Sequence, residues 1–450
     1  MSNTHDLIII GAGPGGHAAA EQAARQGAKV AIIEKNKWGG TCTHRGCVPT
    51  KALLACSKQY MNVKKLKRLG ISTGEVSVDY TAVKRHQQQM VTISSLGVQK
   101  SLKDAGVDLM SGEGKIINPG EVLLTPPQGD AQRLVADNII IAWGSKPLLP
   151  PGINPSQRIL TSDSFLALNT LPESVVIVGG SVIGVEFATF LAELGVKVTV
   201  VELLDQIIPC EDEEVAAFLR QELTRLGITV HTSARMEALH EVPDGVQLKA
   251  IQNTQILELK AEYAMICTGR KPVLLFDELN QCGIEYDKKG IIINENQRTS
   301  REGIYAVGDV TGGVMLAHRA IQQGRAVADY LRGDRSIKYR EEAIPSVIYT
   351  HPSVARVGLT ERQASEEGLN VETKRVEYAT NIMARTELKG NGFVKAVFCE
   401  DKLIGVTIIG DDAGELIAPM SLAVANEMGR KELKKWVIPH PTLSEILHLL

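Results

Sequence analysis

No apolar run in the 450-residue chain reaches membrane-spanning length, and no block of like charge forms a tail. No low-complexity stretch or long linker interrupts it. Neither sign of charge prevails: 49 Lys and Arg face 52 Asp and Glu, a net −3, which gives no reason to expect nucleic acid or an anionic membrane as partner. The opening MSNTHDLIIIGAG lacks the basic region and cleavage site of a secretory signal, and no Arg/Ser-rich leader is present, so a cytosolic location is expected. Cysteine is sparse, at positions 42, 47, 56, 210, 267, 282 and 399. In a reducing compartment a close pair such as Cys42 and Cys47 points to catalysis or metal binding, and the scattered five read as buried small hydrophobes. What is present is an ordinary globular composition, 44% hydrophobic and 22% charged, on a chain too long for one core. Two to four domains are expected.

One device occurs twice. In DLIIIGAGPGGHAAAEQAARQGAKVAIIEK an apolar run meets a glycine turn, an Ala-rich helix and a second apolar run ending in Glu34. The same texture returns in SVVIVGGSVIGVEFATFLAELGVKVTVVELLD, ending in Glu202. Strand, turn, helix, strand with glycines at the turn is a βαβ nucleotide-binding unit. In the first, Gly11, Gly13 and Gly16 let backbone approach a pyrophosphate at a helix N-terminus, and Glu34 is placed for a ribose 2′-hydroxyl. In the second, the residues Gly179, Gly180, Ser181, Val182, Ile183 and Gly184 put Ser where the middle Gly belongs. That side chain either donates a hydrogen bond or crowds the phosphates. Glu202, followed by LLDQII without an Arg, favours NAD over NADP. Two dinucleotides on one chain imply that one relays electrons for the other, and FAD is the usual relay. The expected fold is α/β: two Rossmann-like domains, for FAD and NAD, and a C-terminal α+β part. Expected bounds are 1–145 and 271–340 for the FAD domain, 146–270 for the NAD domain and 341–450 for the last.

Cys42 and Cys47 lie in GGTCTHRGCVPTK. Zinc fits poorly, because no second Cys pair or C-x-x-H cluster completes a shell. A passive staple across so short a loop is improbable in the cytosol, which leaves a redox-active pair as the favoured reading. Residues five apart on a helix point about 140° from each other, so bonding them needs a distorted backbone, which Gly46 and Pro49 are expected to help supply.

GGTCTHRGCVPTK resembles the redox motif of the class I pyridine nucleotide–disulfide oxidoreductases, and HPTLSE (His440 to Glu445) is similar to that family's acid–base motif. Signatures match in order from Gly11 to Glu445. The NAD preference, MLAHRA and HPTLSE most resemble the members that oxidise dihydrolipoyl groups. The resemblance implies a Cys42–Cys47 disulfide, with Cys47 next to the flavin and Cys42 meeting the dithiol. It implies that Lys51 lies near flavin N5 and pairs with Glu186, that His440 is the general base, and that Glu445 orients it. It further implies FAD contacts at Gly114, at Trp143, Gly144 and Ser145, at Asp309, and at Met315, Leu316, Ala317 and His318. Met236 and Gly269 would join the NAD side. His440 would act in the partner subunit's site, making the protein a homodimer that serves a lipoyl domain or lipoyl carrier protein of a 2-oxoacid dehydrogenase or glycine cleavage complex.

Three stretches depart from the family pattern. Thr43 and His44 replace an apolar residue and Asn, and with Arg45 they make a more electropositive loop, expected to lower thiol pKa. Trp143 stands in an A-T-G turn, which questions the FAD contact there. KKWVIP precedes His440, so the dithiol entrance is expected to differ. The rival functions are an NAD-dependent flavoprotein reductase of another disulfide and an FAD-binding interaction subunit with little turnover. The absence of an Arg after Glu202 and of a C-terminal Cys pair argues against the former. Retention of the catalytic set argues against the latter.

Overall fold

The structure, a computed structural model, describes residues 4–335 and 339–450. The first three residues of the expected FAD domain and residues 336–338 of its second part lie outside the described residues. Two compact units emerge. One comprises Met1–Ala52, Ala82–Leu148 and Arg270–Tyr339, and the other Leu53–Thr81, Leu149–Gly269 and Arg340–Leu450.

The first unit starts with β1 (Thr4–Ile10), α1 (Pro14–Arg25) and β2 (Val30–Glu34). Leu7 to Ile10 and Val30 to Ile33 are all buried, as strands of a parallel sheet covered on both faces must be. β1 pairs in parallel with β2, Leu7 opposite Val30, and on its other edge with β3 (Gln132–Ile141), Ile9 opposite Ile140. Asp108–Ser111 extends the sheet beyond β2, and Glu121–Thr125 and Glu113–Asn118 extend it antiparallel from β3. Three helices follow β2 in sequence: α2 (Gly40–Arg45), α3 (Cys47–Lys65) and α4 (Tyr80–Asp104). A short strand, β4 (Ser145–Pro147), comes after β3.

In the second unit β5 (Ser174–Val178), α5 (Val182–Glu193) and β6 (Lys197–Val201) repeat the βαβ device. Their parallel sheet runs Thr229–His231, β6, β5, β7 (Tyr263–Ile266), Ile159–Thr161. A three-stranded antiparallel meander, Ala234–Val242, Gly245–Gln252 and Gln255–Ala261, packs Leu239, Val246 and Leu248 against Val176 and Val178 of β5. The C-terminal part is an antiparallel sheet, ordered Ser346–Ile348, Ser353–Gly358, Lys402–Gly410, Phe393–Cys399, Val371–Glu377. The helix Ala413–Ala425 lays Leu416, Ile417 and Met420 on its Val394, Ala396, Val406 and Ile408. Each such buried aliphatic side chain contributes about 1.5–3 kcal/mol.

The chain returns to the first unit through β8 (Arg270–Pro272), which pairs antiparallel with β4, Pro272 opposite Ser145. Ile304–Ala306 then joins β3 in parallel, and α6 (Ala317–Leu331) packs across α1. That crossing needs a bare backbone: a Cβ on Gly324 would sit 2.3 Å from the Gly15 carbonyl oxygen. The result is the expected α/β architecture with two Rossmann-like βαβ devices and a C-terminal α+β part.

Candidate active site

The two glycine turns are built alike. Gly11 and Gly179 take φ of +111° and +109°, a left-handed conformation, and a Cβ on either would collide with the carbonyl of Ala142 or Cys267 at the end of the neighbouring strand. Glu34 accepts from the Ala12 N–H at 2.9 Å and the Asn36 N–H at 2.8 Å. Glu202 accepts from Gly180 N at 2.6 Å and Leu204 N at 2.8 Å. Each buried carboxylate is therefore fixed beside a helix N-terminus before any ribose arrives. The space fits a dinucleotide too, since a Cβ on Gly13, the N-cap of α1, would meet nothing within 4 Å.

Ser181 answers the question its position raised. As N-cap of α5 it has φ −69° and ψ 174°, almost the −71° and −179° of Gly13, so the turn never needed a glycine there. Its hydroxyl donates to the Cys267 carbonyl at 2.7 Å and accepts from Gly184 N at 3.4 Å. The side chain is committed to the cap, with Val182 and Ile183 forming the first turn behind it. Met236 packs against the cluster holding Val178 and Val201, and Gly269, φ +113°, opens the turn after β7.

Cys42 and Cys47 are joined by a disulfide with Cα atoms 4.7 Å apart. Gly46, φ −142° and ψ −108°, breaks the helix between them, leaving Cys42 on α2 and Cys47 as the first residue of α3. Pro49 plays no part in that break. It lies in the first turn of α3, where a missing N–H costs nothing. Lys51, half-buried, follows Cys47 by one helical turn on the same face. Thr43 is buried, with its hydroxyl 3.4 Å from that of Ser94. His44 anchors the loop. Its Nε2–H donates to the Trp38 carbonyl at 2.9 Å, and the Ser95 hydroxyl donates to the same oxygen. The loop lies on the first dinucleotide turn. Gly39 N donates to Ala12 O at 3.0 Å, and a Cβ on Gly40 would stand 2.7 Å from Gly13 Cα.

Asp309 sits in the turn after Ile304–Ala306, where its Oδ2 accepts from the Ser145 hydroxyl at 2.6 Å. Arg270 in turn donates from Nε to Ser145 Oγ and from Nη2 to Ser145 O, at 2.8 and 3.0 Å. Sequence reasoning passed over Arg270. The signal was the repeat WGSKP and TGRKP, which puts Ser145 and Arg270 at matching places in the paired strands β4 and β8. It also passed over Arg319, buried in α6 and donating to Gly312 O at 2.9 Å, and Gln323, which accepts from Gly308 N at 2.8 Å. These two fix the loop before Met315 and Leu316, which lead into α6 with Leu316 as its N-cap and Ala317 and His318 as its first residues. Gly114 lies under Ile33 and Ile10, close enough that a Cβ would press on both. Gly144 turns at φ +73°, and the Trp143 ring packs into the same hydrophobic cluster as Ile10 and Ile33.

In the second unit Glu445 Oε1 accepts from His440 Nδ1 at 2.8 Å, and its Oε2 from Thr442 N at 2.9 Å. The Thr442 N–H and then the imidazole bond hold the Glu445 carboxyl below its usual value. With Nδ1 donating to a carboxylate, Nε2 of the neutral ring carries the free lone pair of a base. Asn381 steadies the turn by donating to Thr442 O at 3.0 Å. Glu186, buried in α5, accepts from the Tyr349 N–H at 3.0 Å.

A short-loop disulfide lying on one dinucleotide turn, in a chain with a second such turn and a carboxylate-oriented imidazole, defines a redox protein built to exchange electrons between nucleotides and thiols. Residues 5–324 match the family model described as pyridine nucleotide-disulphide oxidoreductase, and residues 344–450 match that family's dimerisation domain. The chain belongs to the pyridine nucleotide-disulphide oxidoreductase family. It is 37% identical over 447 residues to a dihydrolipoyl dehydrogenase of Bacillus subtilis, covering 98% of this chain and 97% of that protein. It is 35% identical to the dihydrolipoyl dehydrogenase of Geobacillus stearothermophilus, covering 98% and 94%. Among solved structures, LpdA from Mycobacterium tuberculosis superposes with a TM-score of 0.91 at 27% identity, over 98% of both chains. The HOCl-induced flavoprotein disulfide reductase RclA from Escherichia coli gives 0.85 at 26%, again over 98% of both. No helix among the described residues is long and apolar enough to cross a membrane.

Proposed function

We propose that the protein is a dihydrolipoyl dehydrogenase: it oxidises protein-bound dihydrolipoyl groups to lipoyl groups and passes the electron pair through FAD to NAD+. One observation carries the reading: the loop holding the Cys42–Cys47 disulfide lies against the turn holding Gly13. The names of the relatives support the same chemistry. On this reading residues 1–145 and 271–340 hold FAD, 146–270 hold NAD, and 341–450 supply the dimer contact. Gly11, Gly13, Gly16, Glu34 and Asp309 would hold FAD, and Gly179 to Gly184 with Glu202 would hold NAD.

Nε2 of the partner subunit's His440 takes the proton from one substrate thiol, and the resulting thiolate attacks Cys42 Sγ. The Cys42–Cys47 bond breaks, a substrate–Cys42 disulfide forms, and Cys47 leaves as a thiolate. Its place at the first residue of α3 favours that charge, as does the Lys51 ammonium one turn away. The second substrate thiol then attacks the substrate sulfur bonded to Cys42, closing the lipoyl disulfide and releasing Cys42. Bound FAD supplies the two-electron step that reoxidises the cysteines and reduces NAD+. Glu445 keeps the His440 ring in the tautomer the first step needs. The parent assembly is a 2-oxoacid dehydrogenase or glycine cleavage complex.

The test is a single assay of the FAD-loaded protein with dihydrolipoamide and NAD+. NADH should form, and Cys42→Ser should abolish it while retaining FAD. No NADH from the FAD-loaded wild type, or faster oxidation of NADH by glutathione disulfide than by lipoamide, sinks the reading.

A further inference from the structure

The segment just before His440 carries an unusual concentration of positive charge for a chain of net −3: Arg430, Lys431, Lys434 and Lys435 against the single acid Glu432. The structure separates these residues into two groups. Leu433 and Trp436, one turn apart, pack against the core of the C-terminal sheet. Arg430 is consumed internally, 2.9 Å from Glu372, 3.5 Å from Asp401 and stacked over Phe398. Glu432 turns back to accept from Gly429 N at 3.1 Å. Lys431, Lys434 and Lys435 are left on the outward face, and their ammonium groups make no ion pair or hydrogen bond among the described residues. Next to them, in the single chain and within the dimerisation domain, Val437 is 88% exposed and the His440 side chain 75%.

Three unpaired cations and a bare aliphatic side chain thus lead up to the base that must meet the substrate thiol. Five residues span at most ~18 Å, which bounds the distance from Lys435 to His440, and Lys431 and Lys434 belong to the turn just before it. Resting on the reading of a dihydrolipoyl substrate, we propose that Lys431, Lys434, Lys435 and Val437 form the docking surface for an acidic carrier protein that presents its dithiol to His440. Charge complementarity names the partner's sign, and the position beside His440 names its cargo. Rim charges of this kind act mainly on the rate of encounter and are screened by salt. Specificity would then lie in the carrier's surface, not in the dithiol.

The test uses three synthetic peptides, each bearing one dihydrolipoyl-lysine flanked by four Glu, four Gln or four Lys, with free dihydrolipoamide as reference. At low salt the wild type should oxidise the acidic peptide with kcat/KM ~10-fold above the neutral one, and the advantage should shrink as salt is added. The triple variant Lys431→Glu, Lys434→Glu, Lys435→Glu should reverse the order, with each peptide's kcat/KM taken relative to the same variant's value for free dihydrolipoamide. An unchanged order in that variant, or no charge preference in the wild type, overturns the docking surface and leaves the functional reading standing. Failure to oxidise free dihydrolipoamide overturns the functional reading. In that event anisotropy of the labelled peptides still reads the surface, and tighter binding of oligodeoxythymidylate than of the acidic peptide overturns it.

Discussion

Glu445 holds two bonds with one carboxylate, and each oxygen has a separate consequence. Oε2 caps the Thr442 N–H and Oε1 orients His440. Because the folded carboxyl lies below the ordinary value of 4.5, its contribution to stability is present above the unfolded pKa and is lost as pH falls through the folded one. Glu445→Gln should therefore be destabilised near neutral pH and converge on the wild type below that window, as read by urea melts at both pH values. A gap that persists at the acid end would assign the effect to packing instead. His440→Gln should lower kcat by ~10²–10⁴ with the fold intact, the usual span for a general base. Glu445 was legible in sequence through the resemblance of HPTLSE to the family's acid–base motif, and in the structure T-L-S-E also forms a capping box. Ser181 was legible only as a departure. Nothing short of its backbone angles and its bond to Cys267 reveals that it caps α5 and leaves the phosphate space alone.

α5 shows what one helix can hold beyond its motif. Glu186 and Glu193 are seven residues apart, hence on one face, and both are buried. Glu193 Oε2 accepts from the Ser57 hydroxyl of α3 at 2.5 Å, and its Oε1 from His351 Nδ1 at 2.7 Å. With Tyr349 N on Glu186, the segment 349–351 is tied to α5 at two places. Glu193→Ala would leave the fully buried Ser57 hydroxyl only the Leu54 carbonyl at 3.2 Å, and would strip the mostly buried His351 imidazole of its partner at about 1–3 kcal/mol. The urea midpoint should fall clearly, with Glu193→Gln falling less because one acceptor remains. A midpoint equal to wild type for the Ala variant would show that water replaces the carboxylate at no cost. Sequence reading found the βαβ devices because each lies within about thirty residues and announces itself by period and glycine. It singled out Glu186 within the second device, but passed over Glu193, whose partners lie 136 and 158 residues away along the chain. The same holds for Arg270, whose partner Ser145, itself singled out, lies 125 residues away.

At the scale of the molecule, the exposure of the His440 imidazole is the feature that calls for a second copy. His440 is oriented and ready but 75% exposed, on a dimerisation domain that also exposes Leu422 and Ile382, 63% and 58%. On the proposed function a base that must take a proton from a dithiol works poorly in bulk water, and a symmetric dimer would offer each His440 the other chain's cysteines. If the site is shared in this way, two dead variants should rescue each other. Cys42→Ser retains its His440, and His440→Gln retains its cysteines. A mixed dimer has one site with both wild-type halves and one with neither. Random reassortment makes half of the dimers mixed, so an equimolar mixture unfolded and refolded together with FAD should recover roughly a quarter of wild-type activity. Mixing without exchange of subunits should recover none, which separates rescue from residual activity. No recovery after exchange, with mixed dimers demonstrated by differential tagging, would mean that each chain meets the dithiol with its own imidazole. The C-terminal pair would then have to be reassigned.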